Sequence, residues 1–250
     1  MRPTWRVFCG IVALSASMLL AGCGTSGNSN VRAVNASPTL NSFTLQVGTI
    51  GIVSDLPYGE VGVQPQGTHG APDTSGKYRA IGAGTKQNVV VYQGTPTNVL
   101  GSQTLTLVKG TSYTFVTFGT APSIGILTLT DNGAPPSSGD FGLRVVDTAG
   151  SAGPVDIYLT TPGEPLTGLT PILSGVTAGS VTQYLPEAPG SIAVQVTPHG
   201  NQGSVLIDET VNPTSGQLVT AFILDPPAGG GPGQFGLLLT TDAGAAPAKQ

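Results

Sequence analysis

Apolar and polar side chains alternate with a period of two along most of this chain. Phe43, Leu45 and Val47 face one way while Thr44 and Gln46 face the other. Val155, Ile157 and Leu159 repeat the pattern against Asp156, Tyr158 and Thr160, and Ile192, Val194 and Val196 against Ala193, Gln195 and Thr197. Such alternation predicts half-buried antiparallel strands. Residues 88–92, 105–108 and 113–118 supply further strands in the first part, and 204–207, 217–224 and 235–240 in the second. Between them stand turn residues: Lys109-Gly110-Thr111, Asp131-Asn132-Gly133, Pro198-His199-Gly200 and Asn212-Pro213-Thr214-Ser215-Gly216. No stretch keeps a helical period beyond a turn or two. Short strands at this spacing predict an all-β chain of antiparallel β-sandwiches of immunoglobulin-like type.

The pattern occurs twice. Arg32-Ala33-Val34 precedes Phe43-Thr44-Leu45-Gln46-Val47, and Leu143-Arg144-Val145-Val146 precedes Val155-Asp156-Ile157-Tyr158-Leu159. The arginines stand 112 residues apart, as do Phe43 and Val155. A constant offset marks a duplicated unit. It continues in Leu127-Thr128-Leu129-Thr130-Asp131 and Leu238-Leu239-Thr240-Thr241-Asp242, at an offset of 111. Gly76-Lys77-Tyr78-Arg79-Ala80 aligns more loosely with Gly190-Ser191-Ile192-Ala193-Val194. The expected division is 31–131 for the first β-domain, 132–140 for a linker, 141–242 for the second β-domain and 243–250 for a flexible tail.

Composition changes this picture little. Gly 37 and Pro 21 in 250 residues approach the level of disordered chains, but 39% hydrophobic and only 9% charged residues argue for a packed core. The net charge is −4, and no Lys/Arg cluster offers a nucleic-acid footprint.

The N-terminus adds an address. Arg2 and Arg6 give a positive region, Val7 to Leu20 an apolar one, and Leu20-Ala21-Gly22-Cys23 closes it. The apolar run is short of the roughly 20 residues a bilayer needs, so residues 1–22 read as an export signal. The four closing residues resemble the lipobox of bacterial lipoproteins, which implies cleavage before Cys23 and a thioether-linked diacylglycerol on it. The other reading is a plain secretory peptide that happens to contain a cysteine. Cys9 falls inside the signal, leaving Cys23 without an intramolecular disulfide partner. Two or three acyl chains anchor stably where one does not. Gly24, where aspartate would imply inner-membrane retention, points to the outer membrane, and residues 25–30 read as a polar tether.

The segment Arg32 to Pro38, with Arg144-Val145-Val146 and Val155-Asp156-Ile157-Tyr158-Leu159, resembles the opening of DUF4397 domains. Gly110-Thr111-Ser112-Tyr113-Thr114-Phe115-Val116 resembles a later strand of the same family. The second copy has Thr148-Ala149-Gly150 in place of Ala-Ser-Pro, and the first has Thr44-Leu45-Gln46 in place of Asp-Val-Tyr. The resemblance spans about residues 31–242. It implies extracellular β-domains, often in tandem and often in lipoproteins, with no activity established for the family.

Candidate chemistry is sparse. His69 and His199 sit beside glycines in loops, with no Cys or second His at ligand spacing, so no metal site or cofactor is expected. Asp208-Glu209 would point to opposite faces of a strand. Asp131-Asn132-Gly133 reads as a hairpin turn, and no nucleophile elbow or phosphate loop is present. Arg32 and Arg144 start strands at matching positions, where each could pin a neighbouring carbonyl or carboxylate or contact an anionic ligand. Tyr58, Tyr158 and Tyr184 read as exposed aromatics able to stack on sugars, while Trp5 leaves with the signal. The function expected is a lipid-anchored, non-catalytic binding or scaffolding module of the bacterial envelope, with an envelope protein or polysaccharide as partner. The alternatives are a secreted hydrolase, an accessory subunit of an envelope enzyme or export complex, or a structural spacer.

Overall fold

The computed structural model describes residues 27–65, 71–94, 97–134, 136–137, 139–230 and 234–243. Cys23, the lipobox and His69 lie outside them. The described residues form seventeen strands. In the first half these are β1 Asn28–Asn35, β2 Ser42–Val47, β3 Ile50–Pro57, β4 Val61–Gly62, β5 Arg79–Gly82, β6 Gly84–Tyr92, β7 Val99–Leu107, β8 Ser112–Thr120 and β9 Ser123–Thr130. The second half holds β10 Phe141–Asp147, β11 Val155–Thr160, β12 Leu173–Val176, β13 Leu185–Glu187, β14 Ile192–Pro198, β15 Ile207–Val211, β16 Leu218–Leu224 and β17 Gly236–Thr241.

Each half is a two-sheet sandwich. The sheet β4-β1-β8-β9, with β5 also on β1, covers β3-β2-β6-β7; likewise β13-β10-β16-β17 covers β12-β11-β14-β15. Phe43, Leu45, Ile52, Val91 and Phe115 fill the first core, and Phe141, Val145, Ile157, Val196 and Ile223 the second. A third cluster joins the halves: Val34, Val61, Val116 and Leu129 meet Val146, Phe222 and Leu224. The two inner sheets are therefore buried on both faces, which is why all seven residues of β10 and of β16 are buried. Alternation sends Leu143 and Val145 into one core and Arg144 and Val146 into the junction.

The all-β fold agrees with the sequence pattern, but one pairing in each half differs from the antiparallel expectation. β1 runs parallel to β8, and β10 parallel to β16. Each pair is separated by an excursion through the opposite sheet, and such a crossover frees the returning strand from the antiparallel sense a hairpin imposes.

Asn28 to Asn30, read as part of a tether, belong to β1 instead, because Asn28 to Val31 pair with Gly82 to Arg79. Ser29 is buried and donates to the Val108 carbonyl. Ladder bonds here outweigh the polar side chains. The strand expected at 204–207 starts only at Ile207, since turns closed by the amides of Asn201 and Ser204 precede β15.

One position distinguishes the halves sharply. Asn35 donates through Nδ2 to the carbonyls of Leu40 and Leu56 and accepts from the Ser37 amide and Thr117 Oγ1. Its counterpart Asp147 accepts from the Ala149 amide through Oδ1, while Oδ2 has no partner among the described residues. Burial first, and then the Asp225 carboxylate, push Asp147 up to about 6, against the Ala149 amide. A raised carboxyl contributes stability below its unfolded value and loses it as pH rises through about 6. Asp147→Asn is expected to exceed the native chain by about 2 kcal/mol at pH 7.5, with the gap closing towards pH 4. Urea midpoints of both proteins across that range measure it, and a gap independent of pH would refute the assignment.

Candidate functional site

Arg32 and Arg144 project from equivalent places on β1 and β10 into the junction between the halves, one fully buried and the other with 5% of its side chain exposed. Around them stand two copies of one set of partners. Arg32 Nε donates to Thr114 Oγ1 at 2.8 Å, and Arg144 Nε donates to Thr220 Oγ1 at 2.8 Å. Each threonine hydroxyl donates onward, Thr114 to Asp131 and Thr220 to Asp242. The aspartates receive the opposite half's arginine: Arg32 Nη2 donates to Asp242, and Arg144 Nη2 to Asp131 at 2.5 Å. Arg144 Nη2 also reaches Asp242 at 3.2 Å, and Arg32 lies 3.9 Å from Asp131. The result is a closed ring of two cations and two anions.

Tyrosines cover the ring on both sides. The Arg32 guanidinium lies 4.3 Å from the Tyr78 ring centre and that of Arg144 4.7 Å from Tyr184. Tyr78 donates to Asp131 and Tyr184 to Asp242. Burial, and then the neighbouring aspartates, push both phenols far above their ordinary range. Burial, followed by the Asp242 charge, also pushes the Asp131 carboxyl up, against Arg144 and Arg32. Without an arginine, Asp131 would take up a proton rather than stay an anion in this environment.

Several expectations change here. Asp131-Asn132-Gly133 is not a hairpin turn: Asp131 belongs to the ring, and Asn132 braces Ser112 and Gly110. Gly133 is needed because a Cβ there would come within 2.6 Å of the Tyr184 ring. Tyr78 corresponds to Tyr184, not to a residue near Ile192, because both cover an arginine. Tyr158 is buried, with its hydroxyl accepting from Gln202. Tyr58 is half-buried and donates to the Asp225 carbonyl. Asp208 and Glu209 lie exposed on β15. The ring's aspartates were visible in the sequence only as the ends of two similar strands.

A second cluster joins Asp156, Ser174 and His199. His199 Nδ1 lies 2.8 Å from Asp156 Oδ1. Ser174 Oγ donates to that same oxygen at 2.8 Å and lies 3.4 Å from the same ring nitrogen. A nucleophilic relay needs serine and aspartate on opposite imidazole nitrogens. Here they converge on one, so the cluster clamps a corner. Burial opposes the Asp156 charge, but the Gly200 amide, His199, Ser174 and the Gly175 amide outweigh it and hold the carboxyl well below its usual range. The clamp sits at a register shift in β11–β12, where Gly175 has φ 65°. In the first half Thr44 takes this place, accepting from the amide of Asp55, whose φ is 52°.

Among the described residues, no group of three or more His, Cys, Asp or Glu is placed to hold a metal ion. A cleft of about 230 Å³ opens between the second half's sheets, lined by Phe141, Leu143, Leu159, Ile192, Val194 and Val219. In the first half the nine-residue β7 reaches β9, with Gln103 donating to Thr128 Oγ1 at 2.6 Å. The five-residue β15 is shorter.

Residues 29–158, more than half of the 250, match the family described as "Domain of unknown function (DUF4397)". No curated protein matches the sequence. Among solved structures, CBMbc (family CBM26) of Eubacterium rectale Amy13K, in complex with maltoheptaose, is 12% identical with a TM-score of 0.27, covering 84% of this chain and 95% of its own. A family 41 carbohydrate-binding module from streptococcal virulence factors, described for alpha-glucan recognition, is 14% identical with a TM-score of 0.28, covering 79% and 94%. An alpha-glucan-binding streptococcal virulence factor is 11% identical with a TM-score of 0.26, covering 79% and 93%. At such scores these likenesses carry no argument about function.

Breaking one member of the ring should be costly. Arg32→Met is expected to lower stability by about 3–5 kcal/mol, because it strands a buried carboxylate. Adding Asp242→Leu should recover part of that loss. Urea unfolding of both single variants and the double variant tests this, and simply additive losses would mean the pair is not coupled.

Proposed function

The chain belongs to the DUF4397 family, and from that premise we propose that it is a lipid-anchored, non-catalytic binding or scaffolding module of the bacterial cell envelope. In this proposal it is built from two tandem DUF4397-like units, the second beginning near Phe141. The ring of Arg32, Asp131, Arg144 and Asp242 carries the reading. Chemistry-bearing side chains that an enzyme would aim at a substrate are spent here on locking two sandwiches together. Their surfaces are thereby held in one fixed relation, which suits presentation or simultaneous contact. The anchor rests on Leu20-Ala21-Gly22-Cys23, with acylation of Cys23 and placement at the outer membrane. The partner is an envelope protein or polysaccharide.

One observation favours the runner-up, a hydrolase: Ser174, His199 and Asp156 meet at one corner. Their convergence on a single nitrogen weighs against it.

In a bacterial host, the native chain is expected in the membrane fraction and labelled by palmitate, whereas Cys23→Ala is unlabelled and released. A Cys23→Ala protein that stays membrane-bound would overturn the anchor. Incubated with envelope polymers, the native chain should retain a partner without cleaving it. Cleavage abolished by His199→Ala would establish the hydrolase instead.

A further inference from the structure

The two halves can be matched residue by residue around the ring. The Asn35 main chain donates its amide to the Glu60 carbonyl and accepts from the Gly59 amide, and the Asp147 main chain does the same with Ser180 and Gly179. Val34 pairs with Val61 as Val146 pairs with Val181. From there to the covering tyrosine the halves diverge: seventeen positions separate Val61 from Tyr78, but three separate Val181 from Tyr184. The first half thus carries a fourteen-residue excess, and its last part lies on Arg32.

That excess completes the arginine. Arg32 uses all five of its N–H groups: Nε on Thr114, Nη2 on Thr240 and Asp242, and Nη1 on the carbonyls of Thr241 and Gly76. Arg144 reproduces this pattern with Thr220, Asp131, Asp242 and the Thr130 carbonyl. Nothing among the described residues stands in for Gly76, so Arg144 Nη1 meets one acceptor where Arg32 Nη1 meets two. At that place lies a groove of about 380 Å³, lined by Thr128, Thr130, Asn132, Arg144, Thr182 and Tyr184. A side chain 95% buried with an N–H facing a groove is under pressure to find an acceptor.

The groove also runs along the outer edge of β9, which pairs with no further strand among the described residues, although Gln103 of β7 donates to Thr128 Oγ1. β9 ends its sheet, and the Asp131 amide bonds Ser112 on β8. By alternation the backbone N–H and C=O groups of Thr128 and Thr130 point the other way, and Thr130 shows it by giving its carbonyl to Arg144. Opposite them stands Val181, 41% exposed.

We propose that this groove binds an extended polypeptide segment of a partner protein, which pairs with the outer edge of β9 and sets one main-chain carbonyl on Arg144. The chain itself supplies the template, since the Gly76 carbonyl already occupies the equivalent position on Arg32. A neutral acceptor fits better than an anion, because the ring's two cations are matched by two carboxylates and, among the described residues, no other cation lines the groove. Strand addition then gives affinity through main-chain bonds, and Val181 gives a side-chain contact. The inference rests on the binding-module reading above.

The test uses isotope-labelled full-length protein in detergent, followed by NMR. The probe is a capped peptide of the sequence at 73–77, Asp-Thr-Ser-Gly-Lys, with its alternately N-methylated form as control. Shifts are expected at the amides of Thr128, Thr130 and Thr182, with binding at least tenfold weaker for the N-methylated peptide and for Val181→Trp. The proposal is overturned by an absence of shifts up to the peptide's solubility limit, or by equal binding to Val181→Trp. It is overturned as well if acetate or a chito-oligosaccharide fills the groove and the peptide does not. An envelope partner retained equally by Val181→Trp would sink the groove while sparing the module reading. Hydrolysis of envelope polymer would sink the module reading itself.

Discussion

Two guanidiniums and two carboxylates close a ring between the halves of this protein, and the junction's geometry follows from it. Desolvating four charges is expensive, and a well-packed apolar junction would hold the halves at least as firmly. What the ring supplies is registration. Each arginine needs a hydroxyl from its own half and a carboxylate from the other, so the halves meet correctly in one relation only. A slip of one residue along β1 or β10 would send an arginine into an apolar core. The apolar contacts of Val34, Val116, Val146 and Phe222 would tolerate several offsets; the ring would not.

The same constraint accounts for the unusual inner sheets. A sheet that carries a sandwich core on one face and the junction on the other has no solvent side, so its strands read as apolar runs interrupted by the few polar residues that find partners. Arg32, Thr114, Arg144 and Thr220 are among those interruptions, and each of the four is hydrogen-bonded. Parallel pairing of β1 with β8 and of β10 with β16 places each arginine directly beside its threonine in the register.

Much of this was legible in the sequence. Period-two alternation located most strands, because alternation reports burial on one face, and the constant offset found Arg32 and Arg144 as equivalents. The rest was hidden for physical reasons. Asp131 sits in Asp-Asn-Gly, which carries the same letters as a hairpin turn although here the glycine answers a close approach by Tyr184. Asp242 and Tyr78 act on Arg32 across 210 and 46 positions of sequence, and no local pattern encodes such distances. Asn28 to Asn30 look like a tether because their side chains are polar, yet their backbone finds a ladder. Asp156 stood inside the family motif, but its role as clamp of a bulge needs Ser174 and His199, which arrive from other strands.

Where the halves differ, a polar group has gained or lost its counterpart, and the differences do not fall at random. Thr44 and Asp156 both cap a left-handed residue opposite a bulge, so the function of the position survives a change of residue. Asn35 and Asp147 differ by a single group, NH₂ for oxygen, and that exchange leaves an oxygen without a donor. Around Arg32 and Arg144 the difference is a missing stretch of chain rather than a changed side chain. A lost side-chain donor is felt locally, as the raised Asp147 carboxyl shows. A missing main-chain carbonyl leaves an N–H of a buried arginine one acceptor short among the described residues, beside a groove. The second half therefore departs from the first by leaving Arg144 Nη1 one acceptor short among the described residues, while the ring beneath it stays closed.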